Sequence, residues 1–293
     1  MNVRPFGEED FPAIARLLEE DELTYGHPTE IGVNELGEWT GTTDLANDSW
    51  LFEDGDGAAA VGWVFPRDDL GTAIGAVHPR AKGRGLGAEL VDRSEAALRR
   101  HGAARIHQIT LGGDMAADEL MRGRGYMRVR SFYEMAIQLD AAPDPVAGVA
   151  IDPFSEADAQ AFYDALEEAF HDHWEHHTTS FEEWWERQRS KPNYDPSLWY
   201  LVRDGAEIAA VARSEAGRNG GGYVGHVGVR RPWRGRGYAK ALLLHTFRVF
   251  YERGLPRVTL GVDAENPTGA THLYERVGMH VESENVVYEK VCA

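Results

Sequence analysis

The chain repeats itself once, and that repeat limits what it can fold into more than any other feature. Val3-Arg4-Pro5-Phe6 and the acidic, amphipathic segment from Glu8 to Glu22 recur as Ile151-Asp152-Pro153-Phe154 and the segment from Ser155 to Phe170. Apolar residues keep helical spacing in both copies, at Phe11, Ile14, Leu17 and Leu18 and at Phe162, Leu166, Ala169 and Phe170. Trp50-Leu51-Phe52 with Gly55, and Leu198-Trp199-Tyr200-Leu201 with Gly205, each read as one strand turning into another. Ile74 to Val77 and His226 to Val229 each run into a Gly/Arg-rich turn and a long helix. Two copies this far apart predict a duplicated domain rather than a solenoid. Residues 140–148, Asp-Ala-Ala-Pro-Asp-Pro-Val-Ala-Gly, have linker composition, so the predicted domains are 1–140 and 149–293. Each half reads β-α-α-β-β-β-α-β-α-β, a mixed α/β (α+β) layer arrangement.

The turn of the second half is Val227-Gly228-Val229-Arg230-Arg231-Pro232-Trp233-Arg234-Gly235-Arg236-Gly237-Tyr238-Ala239-Lys240. Gly235 and Gly237 let the backbone approach a ligand closely, and the next helix aims its N–H groups and positive end at the same place. Arg234 and Arg236 would add charge-assisted contacts, so the turn is a candidate phosphate site. A dinucleotide loop requires a third glycine, which is missing. A P-loop requires Gly-Lys-Ser/Thr, where Ala239-Lys240-Ala241 stands instead. The remaining pattern, Arg/Gln-x-x-Gly-x-Gly/Ala after a strand, fits Arg234, Gly237 and Ala239. The first half offers Lys82-Gly83-Arg84-Gly85-Leu86-Gly87 after Val77-His78-Pro79. A lone Gly-x-Gly is only a tight connection; two in register at one point of a repeated domain point to a ligand.

These turns resemble the pyrophosphate turn of the GCN5-related N-acetyltransferase (GNAT) family. Asn266, Ala270, Tyr274 and Gly278, with Met279 in place of Phe, are similar to the family's closing signature Asn-x-x-Ala-x-x-x-Tyr-x-x-x-Gly-Phe. The resemblance covers nearly the whole chain, and the tandem arrangement is similar to that of the mycothiol synthase-like two-domain acetyltransferases. It implies two GNAT-like domains, each a mixed, split, twisted sheet flanked by helices. It also implies acetyl-CoA, or another acyl-CoA, inserted where two strands part, and direct acyl transfer to the primary amine of a small molecule. No metal is needed.

Aligning Val77 with Val229 and Leu120 with Leu273 sets Tyr274 opposite Met121, Asn266 opposite Gly113, His226 opposite Ile74 and Tyr223 opposite Gly71. In every pair the group able to move or hold a proton lies in the second half. The catalytic domain is therefore expected to be the second; the first is expected to bind CoA or serve structure. The resemblance assigns Tyr274 as general acid to the CoA sulfur and a backbone N–H around Val227, Gly228 and Val229, where the family's strand bulges, to the thioester carbonyl. Mycothiol synthase-like enzymes carry a glutamate early on this strand, at the position counted as Tyr223, so the resemblance breaks there. His226, on the same strand and titrating in the right range, is the candidate base; a hydrogen-bonded core histidine is the competing reading. The competing function is a non-catalytic CoA-binding or sensing module.

His171-Asp172-His173-Trp174-Glu175-His176-His177 places His173 and His177 four apart, a spacing that on a helix could serve a metal. No third ligand follows by spacing, so no metal is predicted. In the family the segment between the first two helices lines the acceptor pocket, which implies His171, His173 and Trp174 there, beside Trp184 and Trp185; aromatic packing on the sheet competes for the two tryptophans.

The formal net charge of −18, with no long basic block, argues against nucleic acid or an anionic membrane surface as partner. No apolar run approaches the roughly 20 residues of a membrane span. The opening residues lack a signal's basic and apolar regions, and Cys292, the one cysteine, allows no intrachain disulfide. A cytoplasmic protein acting on a small molecule is expected.

Overall fold

The computed structural model describes all residues except 28–30, 219, 267 and 293. The first half is built from β1 (Asn2–Arg4), α1 (Phe11–Thr24), α2 (Val33–Thr40), α3 (Leu45–Asp48), β2 (Ser49–Asp54), β3 (Gly57–Arg67), β4 (Leu70–Val77), α4 (Leu86–Arg100), β5 (Arg105–Leu111), α5 (Met115–Gly123) and β6 (Met127–Gln138). The second half has β7 (Asp152–Pro153), α6 (Ala159–Phe170), α7 (Phe181–Arg189), β8 (Trp199–Asp204), β9 (Glu207–Arg218), β10 (Gly221–Val229), α8 (Tyr238–Glu252), β11 (Arg257–Asp263), α9 (Ala270–Arg276) and β12 (His280–Val291). The second series follows the expected element order, and the first adds only the one-turn α3. Among the described residues no helix is long and apolar enough to cross a membrane.

The chain forms two compact units that do not simply follow the linker. The first comprises Met1–Tyr133, Asp263–Glu265 and Glu282–Ala293; the second comprises Glu134–Val262 and Asn266–Val281. The linker is tied down within the second unit: Arg248 Nε donates to the Pro143 carbonyl at 3.0 Å, and the Tyr251 hydroxyl donates to that of Asp140 at 3.1 Å.

In the first unit the sheet runs β1-β2-β3-β4-β5-β12. β4 and β5 are parallel, and the pairs β1–β2, β2–β3, β3–β4 and β5–β12 are antiparallel. The last strand of the sequence thus completes the sheet of the first half, from Asn285 opposite Leu111 to Val291 opposite Arg105. Its Val286 and Tyr288 enter a buried cluster with Ile106, Met121 and Tyr126, and Lys290 Nζ lies 2.8 Å from Glu95. Helix α4 covers one face of the sheet with Leu86, Leu90, Val91, Ala97 and Leu98, whose spacing puts them on one side of the helix.

In the second unit the sheet runs β7-β8-β9-β10-β11, continued by β6, with β10 and β11 parallel. Helix α8 packs with Ala241, Leu242, Leu243, Phe247 and Phe250 buried. Beneath α6 and α7 lies an aromatic cluster in which Phe154, Phe162, Trp184 and Trp199 meet at centroid distances of 5.0–6.5 Å. Trp184 is buried in this core, and Trp185 stacks on Phe181 at 6.3 Å, so the packing reading of the two tryptophans describes what they do.

Truncation after Val281 should unfold the first unit before the second, although the deleted residues close the sequence. Losing the buried Val286, Val287 and Tyr288 costs about 5 kcal/mol or more. Hydrogen exchange should report lost protection of the β5 amides at 105–111; protection retained there would contradict the exchange of this strand.

Candidate active site and the paired elbows

The two turns are conformational copies. Lys82 has φ −59° and ψ 152°, and Arg234 has φ −60° and ψ 152°. Gly85 has φ 81° and ψ 2°, and Gly237 has φ 82° and ψ 4°, each directly before the first residue of α4 or α8. Gly83 and Gly235 are also left-handed, at φ 77° and 78°. A Cβ added at any of these four glycines would meet nothing within 4 Å, so it is the positive φ and not crowding that demands glycine. The space before each elbow is open, and the first-turn N–H groups of each helix have no intrahelical acceptor. Such an arrangement can hold an anion through backbone N–H groups.

The charges around the elbows differ. Arg234 donates to the carbonyl oxygens of Val229 at 3.2 Å and Ala169 at 3.3 Å, bracing the turn without losing its charge to a carboxylate. Arg236 reaches Asp204 at 3.2 Å, and Arg231 reaches Asp172 at 2.5 Å. In the first unit Lys82 Nζ lies 2.5 Å from Asp21, 2.5 Å from the Tyr25 hydroxyl and 3.9 Å from Asp114.

Beyond each elbow the parallel strands part. β4 pairs with β5 from Leu70 opposite Arg105 to Ile74 opposite Ile109, leaving Gly75, Ala76 and Val77 unpaired on that edge. β10 pairs with β11 only at Gly222 opposite Val258 and Tyr223 opposite Thr259, yet keeps β9 on its other edge through Val229. Backbone polar groups on the open edge therefore await a partner.

β10 also carries a bulge that β4 lacks. Its register with β9 shifts between Val224, opposite Ser214, and His226, opposite Arg213, leaving Gly225 as the extra residue. The pairing of β3 with β4 has no such shift. The bulge thus falls at Gly225, just ahead of residues 227–229, around which the resemblance placed it. The extra residue also corrects the sequence alignment: Tyr223 stands opposite Thr72 and not Gly71. Gly71 corresponds to Gly222, because an added Cβ would strike Leu98 of α4 at 2.4 Å in one unit and Phe250 of α8 at 2.5 Å in the other. Past the bulge, His226 and Ile74 correspond as expected. Tyr274 and Met121 correspond too, since Met279 N bonds Tyr274 O and Tyr126 N bonds Met121 O, both at 3.0 Å.

Among the described residues the Tyr274 hydroxyl has no hydrogen-bond partner. Burial, with Tyr223 adding to it, pushes Tyr274 up to about 12, so its phenol keeps its proton throughout the neutral range. Tyr223 is raised as well, chiefly by burial, and Arg218 stacks on its ring at 3.9 Å. The structure therefore brings Tyr274 and Tyr223 together where β10 leaves β11.

His226 belongs to a neighbouring cluster. Arg213 donates to its Nδ1 from Nε at 3.3 Å and Nη2 at 3.0 Å, and from Nη1 to Gln188 Oε1 at 2.9 Å. A guanidinium has only protons to offer, so Nδ1 accepts and the ring proton sits on Nε2. Burial, then the charge of Arg213, hold His226 well below its ordinary 6.5. The imidazole is neutral with its lone pair taken: it can donate from Nε2 but cannot act as the free base expected of it. Phe170 lies between His173 and His226, at centroid distances of 4.4 and 5.1 Å.

Residues 171–177 turn rather than continue α6, so His173 and His177 do not share a helical face. His171 caps α6 and faces His176 at 6.3 Å, and His176 Nε2 lies 3.2 Å from Glu167. Asn266 turns its Oδ1 inward, accepting from Thr268 N at 2.8 Å and Thr268 Oγ1 at 2.6 Å.

Sequence reasoning missed Arg213 and Glu215. Alternation along β9 puts both on the face that carries Tyr223 and His226, their cross-strand partners. Glu215 is buried, accepts from Asn193 Nδ2 at 3.2 Å and lies 3.6 Å from Lys191 Nζ. The available signal was two charged residues, Arg213 and Glu215, at alternate positions after the apolar Ile208–Ala212 run of β9.

His226 makes folding pH-dependent. The unfolded chain takes up a proton near 6.5 that the folded His226 refuses, so stability is complete above that pH and falls as pH drops below it. Thermal unfolding between pH 7.5 and 5.5 should show the loss, and His226→Gln should flatten the slope; an unchanged slope would contradict the neutral imidazole.

Comparison with known proteins agrees with this geometry. The sequence pattern of the Acetyltransferase (GNAT) family matches residues 12–126 and again 159–279. Mycothiol acetyltransferase of Thermobifida fusca (strain YX) is 29% identical over 233 residues, spanning 71% of this chain and 70% of that one. The Streptomyces avermitilis protein of that name is 30% identical over 214 residues, spanning 71% and 67%. A GCN5-related N-acetyltransferase from Sphaerobacter thermophilus, of known crystal structure, is 36% identical and superimposes with a TM-score of 0.85 over 99% of this chain and 95% of that one. A tandem GNAT protein from the clavulanic acid biosynthesis pathway shares the fold at 15% identity, with a TM-score of 0.72 over 99% of this chain and 98% of that one. With matched elbows, parting parallel strands and the family pattern found in both halves, the chain belongs to the GNAT acetyltransferase family and is an N-acetyltransferase of tandem-domain type.

Proposed function

We propose that the protein transfers an acyl group from acetyl-CoA, or another acyl-CoA, directly to the primary amine of a small molecule, and that the second unit alone performs the chemistry. The observation that carries this reading is Tyr274, a protonated phenol with a free hydroxyl among the described residues, beside Tyr223 where the strands part. Relatives named mycothiol acetyltransferase support a small-molecule acceptor. Tyr223, at the position where the resemblance implies a glutamate, gives this acceptor site a different wall.

The thioester supplies an activated acyl carbon. The open N–H groups around Gly235, Arg236, Gly237, Tyr238 and Ala239 fit a diphosphate, with Arg234 bracing the turn and adding charge. The unpaired edge of Val227, Gly228 and Val229 is placed to polarise the thioester carbonyl. The Asn266 amide nitrogen remains for the ligand, its oxygen being taken by Thr268. Attack needs a neutral amine, whose ordinary pKa is about 10, and the departing sulfur needs a proton, its thiol pKa being about 8.5. Tyr274 donates that proton. The amine's proton goes to the Glu215 carboxylate, across the strand from Tyr223, through water. His226 donates from Nε2 to the acceptor, within a pocket walled by His171, His173 and Trp174.

The first unit keeps the elbow of Val77, Lys82, Gly83, Arg84, Gly85 and Gly87 but has Ile74 and Met121 where the second has His226 and Tyr274, which supports a CoA-binding or structural role there. No metal is assigned to either unit.

Release of free CoA from acetyl-CoA, assayed against a panel of small amines, tests the reading. Tyr274→Phe should lower kcat by about 100-fold or more with little change in KM for acetyl-CoA; full activity in that variant would remove Tyr274 from the chemistry. Gly237→Val should abolish turnover by forcing a β-branched residue to φ 82°, whereas Gly85→Val should leave kcat within about twofold. Equal loss from both would overturn the division of labour.

A further inference from the structure

The first unit holds a cleft of about 720 Å³ whose chemistry differs from that of the second unit's site. It extends from the Lys82–Gly87 elbow, past Ile74 and Ile109 where β4 and β5 part, to Trp39, Trp63, Phe65 and Phe132. In the strand register Trp63 stands where the second unit has Arg213, and Phe65 where it has Glu215. The half of the cleft that would receive a polar acceptor is thus aromatic. Trp63 is fully buried, and its Nε1–H has no hydrogen-bond acceptor among the described residues, which costs free energy until a ligand supplies one.

The elbow end has changed in a complementary way. Lys82 is held by Asp21, with Asp114 nearby, while Arg84 pairs with Asp54 much as Arg236 pairs with Asp204 in the second unit. A diphosphate arriving at Lys82 competes with carboxylates already in place, whereas the Arg234 partners among the described residues are carbonyl oxygens. Binding energy in the first unit must therefore come more from apolar burial than from charge.

We propose that this cleft is a non-reacting site for a CoA thioester whose acyl group is larger and more apolar than acetyl. The diphosphate rests on the Lys82–Gly87 elbow, and the acyl group lies among Trp39, Trp63, Phe65 and Phe132. The thioester carbonyl accepts from Trp63 Nε1. Ile74 and Met121 replace His226 and Tyr274, so the thioester is held without turnover. The inference rests on the coenzyme reading of the elbows given above.

Calorimetric titration of the full chain carrying Gly237→Val, which silences the second elbow, with CoA, acetyl-CoA, hexanoyl-CoA and benzoyl-CoA tests it. Each buried methylene raises affinity about fourfold, so hexanoyl-CoA should bind at least about tenfold more tightly than acetyl-CoA. Benzoyl-CoA should exceed acetyl-CoA likewise. Trp39→Ala, at a partly exposed position, should weaken hexanoyl-CoA by about fivefold or more and leave acetyl-CoA nearly unchanged; Trp63→Arg, recreating the second unit's residue, should erase the preference if it folds. Equal affinities across the series would overturn the acyl preference alone, and a preference untouched by Trp39→Ala would overturn the placement of the acyl group among these aromatic residues. Binding of hexanoate or benzoate as tightly as their thioesters would overturn the CoA part. Failure of CoA and of every thioester to bind would instead overturn the coenzyme reading of the first elbow.

Discussion

Two parallel strands that stop hydrogen-bonding halfway along their length set the terms for everything else in each unit. In a closed sheet the backbone groups of β10 would be satisfied on both edges and nothing could enter. Pairing with β11 ends at Tyr223 while pairing with β9 continues to Val229, so one edge is held rigid and the other left open. The gap alone would be a defect. It becomes a site because the chain leaving β10 turns through left-handed glycines into α8, presenting further unpaired N–H groups in continuation of the open edge. The same construction, with the same dihedral angles, follows β4.

The duplication shows within one molecule what the two units share and where they differ. Elbow, helix start and strand parting are kept in both units, down to the glycine pressed against Leu98 in one and Phe250 in the other. What differs is what surrounds them. The bulge at Gly225, the phenol of Tyr274 and the Arg213–His226 pair have no counterpart beside β4, where Ile74, Trp63 and Met121 stand. Arg213 and His226 illustrate how a neighbour decides a residue's chemistry. A histidine alone on this strand could accept or donate; beside a guanidinium that can only donate, it is fixed as a neutral donor.

The fold was legible because repetition, glycine and apolar spacing act locally. Gly85 and Gly237 are forced by φ, and the helices after them bury the residues that a 3.6-residue period selects. Tyr274 was legible because it sits within a short spaced motif on one helix. The reading slipped where a single residue changes the register: counting back from Val229 set Tyr223 opposite Gly71, and the bulge at Gly225 moves it to Thr72. Helical spacing at His173 and His177 carries no information for a related reason, since the chain turns after Phe170 and the period no longer applies.

By itself, then, the sequence determined the two-fold repeat, the element order, the elbows and the phenol, all features fixed by residues near one another along the chain. Tertiary structure alone decided that the final strand, residues 282–291, completes the sheet of the first half. It alone decided that His226 gives its lone pair to Arg213, and that Glu215 faces Tyr223. Each of these depends on which strand lies beside which, and a cross-strand partner leaves no mark in the residues next to it.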